Sequence, residues 1–152
     1  MNAKLILGTI FVAALTGCAS VPTESTEKSD EAKKFATPPS GTAGVYIYRS
    51  GGFGTALKKD IWIDDKCVGE SAPNTFFHEV VKGDEEHTVA TESEFSPNTL
   101  KLKTDSGKNY FIQQYIKMGV FVGGAGLKVI DEEKAKAEIL KLKLAKPGTC
   151  SS

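Results

Sequence analysis

Between residues 45 and 130 the sequence is cut into short runs of β-branched and aromatic residues by Gly, Asn, Asp, Ser and Pro. This punctuation limits the fold more than any other feature. The runs are VYIYR (45–49), LKKDIWID (57–64), KCVGES (66–71), TFFHEVV (75–81), HTVATES (87–93), TLKLKT (99–104), YFIQQYIKM (110–118) and LKVI (127–130). Within one of them Leu100 and Leu102 alternate with Lys101 and Lys103, which places the leucines on one face and the lysines in water. Asp64-Asp65 reads as a tight turn, since Asp tolerates a left-handed backbone better than most residues. Short strands with turn signals between them predict a mainly β domain, an antiparallel β-sandwich or barrel-like fold.

One segment has helical spacing. In DEEKAKAEILKLKLA (131–145) Asp131 suits an N-cap, and Glu132 and Glu133 suit the positive helix end. Ala135, Ile139 and Leu142 form a single apolar stripe, which fits a C-terminal α-helix covering the sheet, and Pro147-Gly148 end it. The β-rich domain is thus expected over residues 44–146, with the helix at about 131–145 and a C-terminal tail at 147–152. Residues 18–43 are rich in Ser, Thr, Pro, Glu and Lys and read as a flexible tether that would span roughly 25–30 Å. A short helix over 27–35, with Asp30 and Lys34 four residues apart, would end at Pro38-Pro39.

The amino terminus predicts an address. Lys4 is followed by LILGTIFVAAL (5–15), an uncharged run too short for a bilayer core that needs about 20 helical residues. A basic start, a short apolar centre and small residues at a cleavage point describe a secretory signal peptide, here residues 1–17. Leu15-Thr16-Gly17-Cys18 resembles the lipobox of bacterial lipoproteins. That resemblance implies that Cys18 receives a diacylglycerol on its sulfur, becomes the first residue after cleavage and is acylated on its amine. Two or three acyl chains anchor a protein stably where one does not. Ala19 and Ser20 differ from the Asp that marks inner-membrane retention in enterobacterial lipoproteins, so the analogy implies the outer membrane with the domain facing the periplasm.

Composition narrows the partners. Nineteen basic and nineteen acidic side chains, less Lys4 after cleavage, leave a net charge of −1. Arg49 is the sole arginine. A balanced charge dominated by lysine gives no footprint for nucleic acid and lacks the planar fork that grips phosphate. With Cys18 assigned to lipid, Cys67 and Cys150 remain. In an oxidising compartment an even pair suggests a disulfide, the alternative being a buried Cys67 and a free thiol on the tail.

The segments AGVYIYR, IWIDDKCVGE, TFFHEVVKG, EHTVATES, GKNYFIQQYIKMG and VIDEEKAKAEI, with the lipobox, resemble a family of small bacterial lipoproteins known only as a domain of unknown function. The resemblance spans roughly residues 40–140. The pattern around IDDKCVGE and KGDEEHTV is also similar to PEGA-type modules, β-sandwich units of envelope proteins, which usually carry Gly where this chain has Asp65. The family implies no catalytic residues.

The residues supply no catalytic pattern either. GVFVGGAGLK (119–128) lacks the glycine spacing of a dinucleotide fingerprint and the Gly-Lys-Ser/Thr of a phosphate loop, and reads as a flexible turn between two strands. Its Val120, Phe121 and Val122 could form a contact tip. His78 and His87 could join Cys67 as three metal ligands, but no metal-ligand spacing supports a metal site. Asp60, Asp64 and Asp65 lack the pattern of a calcium loop. No Gly-x-Ser-x-Gly is present. No cofactor and no enzyme activity is expected. Tyr46 and Tyr48 beside Arg49, extended by Trp62, make a candidate binding surface for an envelope protein, or for peptidoglycan or polysaccharide by stacking. The expected function is a membrane-anchored, non-catalytic binding or structural module of the cell envelope. The rival is a hydrolase with a dispersed site, which would need His78 or His87 in one pocket with a Ser and an acid.

Overall fold

A computed structural model describes residues 17–151. The expected signal peptide therefore lies outside the described residues, apart from Gly17. In chain order the elements are α1 (Thr26–Ala32), β1 (Thr42–Arg49), β2 (Lys59–Ile63), β3 (Lys66–Ser71), β4 (Thr75–Lys82), β5 (Glu86–Thr91), β6 (Asn98–Lys103), β7 (Asn109–Lys117), β8 (Gly124–Val129), α2 (Glu132–Ile139) and β9 (Lys143–Leu144). The fold is mainly β, with two sheets and no closed barrel. One sheet has the order β8-β7-β1-β4-β9 and the other β3-β2-β5-β6.

The second sheet is antiparallel throughout, whereas the first is mixed: β1 pairs with β7, and β4 with β9, in parallel. Parallel pairing requires long connections, and here the whole second sheet is threaded between β1 and β7. Val45, Ile47, Ile61, Val89, Phe77 and Ile112 fill the space between the sheets. On the far side of the five-stranded sheet, Tyr46, Tyr48, Phe76 and Phe111 pack beneath Ala135, Ile139 and Leu142. β1 is thus buried on both faces, as a central strand must be when helices cover one side and a sheet the other.

The Asp64-Asp65 turn joins β2 to β3 with φ of 49° and 62°, the two consecutive left-handed residues that match a hairpin to strand twist. Three other expectations need correction. The C-terminal helix stops at Ile139, and the next residues turn so that Lys143–Leu144 add an edge strand beside β4. Leu142 still reaches the core, but from a turn. The glycines of 119–128 do not all lie in a loop, because Gly124 and Gly126 belong to β8. At Gly126 a Cβ would lie 2.5 Å from the Tyr115 ring, so only Gly lets that ring lie across the strand.

Residues 18–43 are not a free tether. Val21 packs on the inter-sheet core, and Ala32 and Phe35 pack on the helix-covered core. Glu24 N–H donates to the Leu144 carbonyl at 2.8 Å, Lys146 N–H to Pro22 at 3.0 Å, and the Asn109 amide to Phe35 and Ala36, both at 3.1 Å. Ser25 caps α1. Polar composition points to a solvated linker, yet three well-placed apolar side chains and a set of backbone hydrogen bonds are enough to hold the segment on the domain.

Candidate functional site

The structure does not bring the expected aromatic-arginine surface together. Tyr46 and Tyr48 are each 1% exposed, because β1 points them under the helices. The Tyr46 ring stacks on His78 at 4.2 Å and on Phe111 at 5.2 Å, and its hydroxyl donates to the Ala32 carbonyl at 3.0 Å. Burial pushes its pKa up to about 12. The Tyr48 hydroxyl is buried, with no hydrogen-bond partner among the described residues. Its burial first, and then the charge of Glu138, push its pKa up. Arg49, 2% exposed, pairs with no acid among the described residues. It donates from Nη1 to the Leu57 carbonyl at 2.7 Å and from Nη2 to the Gly54 carbonyl, and burial lowers its pKa to about 10. Trp62 is half-buried and alternates with the core residues Ile61 and Ile63, so it faces the outer side of the other sheet.

Cys67 and Cys150 form a disulfide with a Cα–Cα distance of 5.9 Å. It ties the C-terminal segment to β3, where Gly148 N–H also donates to the Val68 carbonyl at 3.0 Å. Cys67 is thus unavailable as a metal ligand, and His78 and His87 lie apart. His78 is stacked on Tyr46, while His87 faces a cleft of about 510 Å3 between β3 and β4. There its Nδ1 lies 2.6 Å from an Asp64 carboxylate oxygen and its Nε2 2.9 Å from the Lys82 carbonyl. Both neighbours are acceptors, so the ring satisfies both only as an imidazolium. Burial opposes that charge most, but the bonds to Asp64 and Lys82 and the charges of Asp64 and Glu85 outweigh it and raise the pKa of His87. Glu79 lines the same cleft, and burial raises its pKa. No Ser or Thr is among the lining residues. Both ring nitrogens of His87 are engaged.

A second region lies at the end of the sandwich where β1, β5 and β7 finish. The loops leaving them, at 50–58, 92–97 and 118–123, meet there: a Cβ at Gly54 would touch Ile116 and one at Gly123 would touch Leu57. Glu94 accepts backbone N–H groups from Val120 at 2.6 Å, from Phe121, and from Val122 at 3.3 Å. Partial desolvation works against the Glu94 charge, but those three donors prevail and hold its pKa below the usual carboxylate range. The clamp leaves the loop side chains in solvent. Phe53, Phe95, Met118, Val120 and Phe121 are 66%, 77%, 83%, 75% and 83% exposed. Cys18, exposed and unbonded, belongs to this end too, because Ala19 N–H donates to the Thr55 carbonyl at 2.8 Å. The sequence marks Val120, Phe121 and Val122 as a tip. It does not mark Phe53 and Phe95, which lie far away along the chain, or the role of Glu94.

Among the described residues no helix is long and apolar enough to cross a membrane, and no group of side chains is arranged to hold a metal ion. The architecture defines a small β-sandwich whose sheets gape at one edge and whose loops gather at one end. The chain belongs to the family described as "Protein of unknown function (DUF2846)", whose model matches residues 39–125. An uncharacterized protein of Haemophilus influenzae is 55% identical to it over 131 residues, which cover 86% of this chain and 77% of that one. No solved structure matches it.

Proposed function

We propose that this chain is a lipid-anchored lipoprotein of the bacterial envelope, carried by the outer membrane on its periplasmic face. Its domain serves there as a non-catalytic binding or structural module. The observation that carries the reading is Cys18, an exposed thiol without a bonded partner that ends the lipobox-like Leu15-Thr16-Gly17-Cys18. The other two cysteines form a disulfide, which suits an oxidising compartment. The likeness to PEGA-type envelope modules rests on the strand-turn-strand at Asp64-Asp65. A protein partner fits better than a sugar, because the aromatic residues that could stack on a sugar ring at Tyr46 and Tyr48 are buried. A structural role for His87 is supported by its two ring nitrogens, which are held by Asp64 and by the Lys82 carbonyl.

The test is processing of the full chain in cells fed an alkyne fatty acid. The native chain should be cleaved before Cys18 and carry the label in the outer-membrane fraction. Cys18→Ser should remain as an unlabelled precursor. Normal cleavage and membrane fractionation of Cys18→Ser would refute the anchor. In-cell crosslinking followed by mass spectrometry addresses the binding role. A reproducible protein adduct supports it, and saturable sedimentation with purified sacculi in place of an adduct would move the assignment to peptidoglycan.

A further inference from the structure

The exposed apolar side chains of this domain are concentrated at one end, and it is the end where the lipid-bearing residue of the proposed function emerges. Phe53 comes from the loop after β1, Phe95 from the loop after β5, and Met118, Val120, Phe121 and Val122 from the loop after β7. They come from three separate loops, with Phe95, Met118 and Val120 around a shallow depression and Phe53, Phe121 and Val122 outside it. Their exposure is also built in. Arg49 spends its buried guanidinium on the carbonyls of Gly54 and Leu57, which fixes the loop bearing Phe53. Glu94 takes three backbone N–H groups of the 118–123 loop, and Asn98 donates to the Ala125 carbonyl at 2.5 Å, which fixes the other two loops against each other. These bonds satisfy the carbonyls of Gly54 and Leu57 and the N–H groups of residues 120–122, so those groups can be desolvated without being orphaned.

We infer that these three loop tips form a membrane-docking face, which seats its apolar side chains in the interfacial layer of the bilayer that holds the Cys18 acyl chains. The inference rests on the lipid anchor proposed above. It is favoured over a second copy or a protein partner by position. Ala19, bonded to Thr55, brings Cys18 to this end. A chain held in lipid at Cys18 has no tether in which to lift this face away, because residues 19–36 are fastened along the domain. Apolar tips held against a bilayer would otherwise stay in water, and aromatic and methionine side chains gain from entering the boundary between headgroups and acyl chains. Lys117, beside Met118 at the margin, can reach headgroup phosphates with its stem along the apolar surface.

The experiment uses the full chain purified from membranes, with Trp62→Phe to remove the native tryptophan and Phe121→Trp as the probe. The protein is reconstituted in vesicles of phosphatidylethanolamine and phosphatidylglycerol, with or without bromine on the acyl chains. A parallel chain carries Val80→Trp, an exposed position toward the other end of β4. Brominated lipid should quench most of the emission at Phe121→Trp and leave Val80→Trp bright, and Glu94→Gln should weaken the quenching by loosening the loop. Intact mass of the same samples reports acylation of Cys18. Unquenched Phe121→Trp on an acylated chain would overturn the docking face and leave the anchor standing. Quenching on a chain without acyl groups would keep the docking face and remove the anchor. Protection of Phe121→Trp that depends on protein concentration but not on bromine would assign the face to a second copy and overturn the inference.

Discussion

The His87 imidazole and the Asp64 carboxylate meet at 2.6 Å, with His87 buried and Asp64 half in solvent. The pKa of His87 is raised above 6.5, so the folded chain holds that proton more tightly than the unfolded one. Its stabilising contribution is complete below about pH 6.5 and is lost as pH rises through the folded pKa. Burial works against the Asp64 charge, but His87 and the Thr88 N–H bring its pKa below 3.8. Its contribution is present above about pH 3.8 and is lost as pH falls through the folded pKa. The pair therefore stabilises most in the mildly acidic window between the two. Asp64→Asn should lower the His87 pKa and flatten the pH dependence of the urea midpoint. NMR titration of the His87 ring reads the first directly, and an unchanged His87 pKa in the variant would exclude the pairing.

Phe35 holds the amino-terminal segment down through ring contacts with Tyr46 at 5.2 Å and Phe111 at 5.9 Å. Phe35→Ala should cost about 2 kcal/mol, below the usual cost of a Phe-to-Ala change in a core because the ring is only half buried. It should also open residues 19–38 to protease while the β domain survives. Equal cleavage rates for native and variant chains under native conditions would mean that the segment is already detached.

Arg49 is a buried cation satisfied by backbone alone. Replacing it with Met should strand the Leu57 carbonyl, while the Gly54 carbonyl keeps the Leu57 N–H, and destabilise by about 1–3 kcal/mol, since an unpaired buried group carries its full desolvation cost. Arg49→Lys should recover only part of this, because an ammonium does not span two carbonyls as a guanidinium does. Urea denaturation of the three chains gives the order. Full stability in Arg49→Met would show that the loop does not depend on the bridge.

The disulfide joins residues 83 apart in sequence. On the chain-entropy model, Cys67→Ser with Cys150→Ser should lower stability by about 4 kcal/mol. The tail beyond Pro147 should then exchange its amide hydrogens faster, because Gly148 loses its fixed position beside Val68. Hydrogen exchange resolved to that peptide would expose an error if the tail stayed protected.

Strands β1 to β7 are legible because each carries its own local marks, such as the Leu-Lys alternation of β6 and the paired aspartates after β2, whereas β9 and the start of β8 carry none. Which strands pair is not a local property. The parallel union of β1 with β7 joins residues 65 positions apart, as in Gly44 with Asn109, and leaves no mark in either run. The surface reading of Tyr46 and Tyr48 failed for a reason that was present in the sequence. Residues 43–48 contain no charged or amide side chain, and a strand without a polar face is buried on both sides. The docked amino-terminal segment was harder to see, because a largely polar stretch can be held by Val21, Ala32 and Phe35 alone. The loop end is a tertiary fact: Phe53, Phe95 and Phe121 become neighbours only once three strands finish together.

The bond between Ala19 and Thr55 leaves no residue between the fastened chain and Cys18, whose sulfur is the next side chain. Acyl chains on that sulfur would moor the domain at zero slack, like a hull tied directly to a quay. Its radius of action would be its own height, so anything it meets would have to come down to the lipid surface or already be travelling within it.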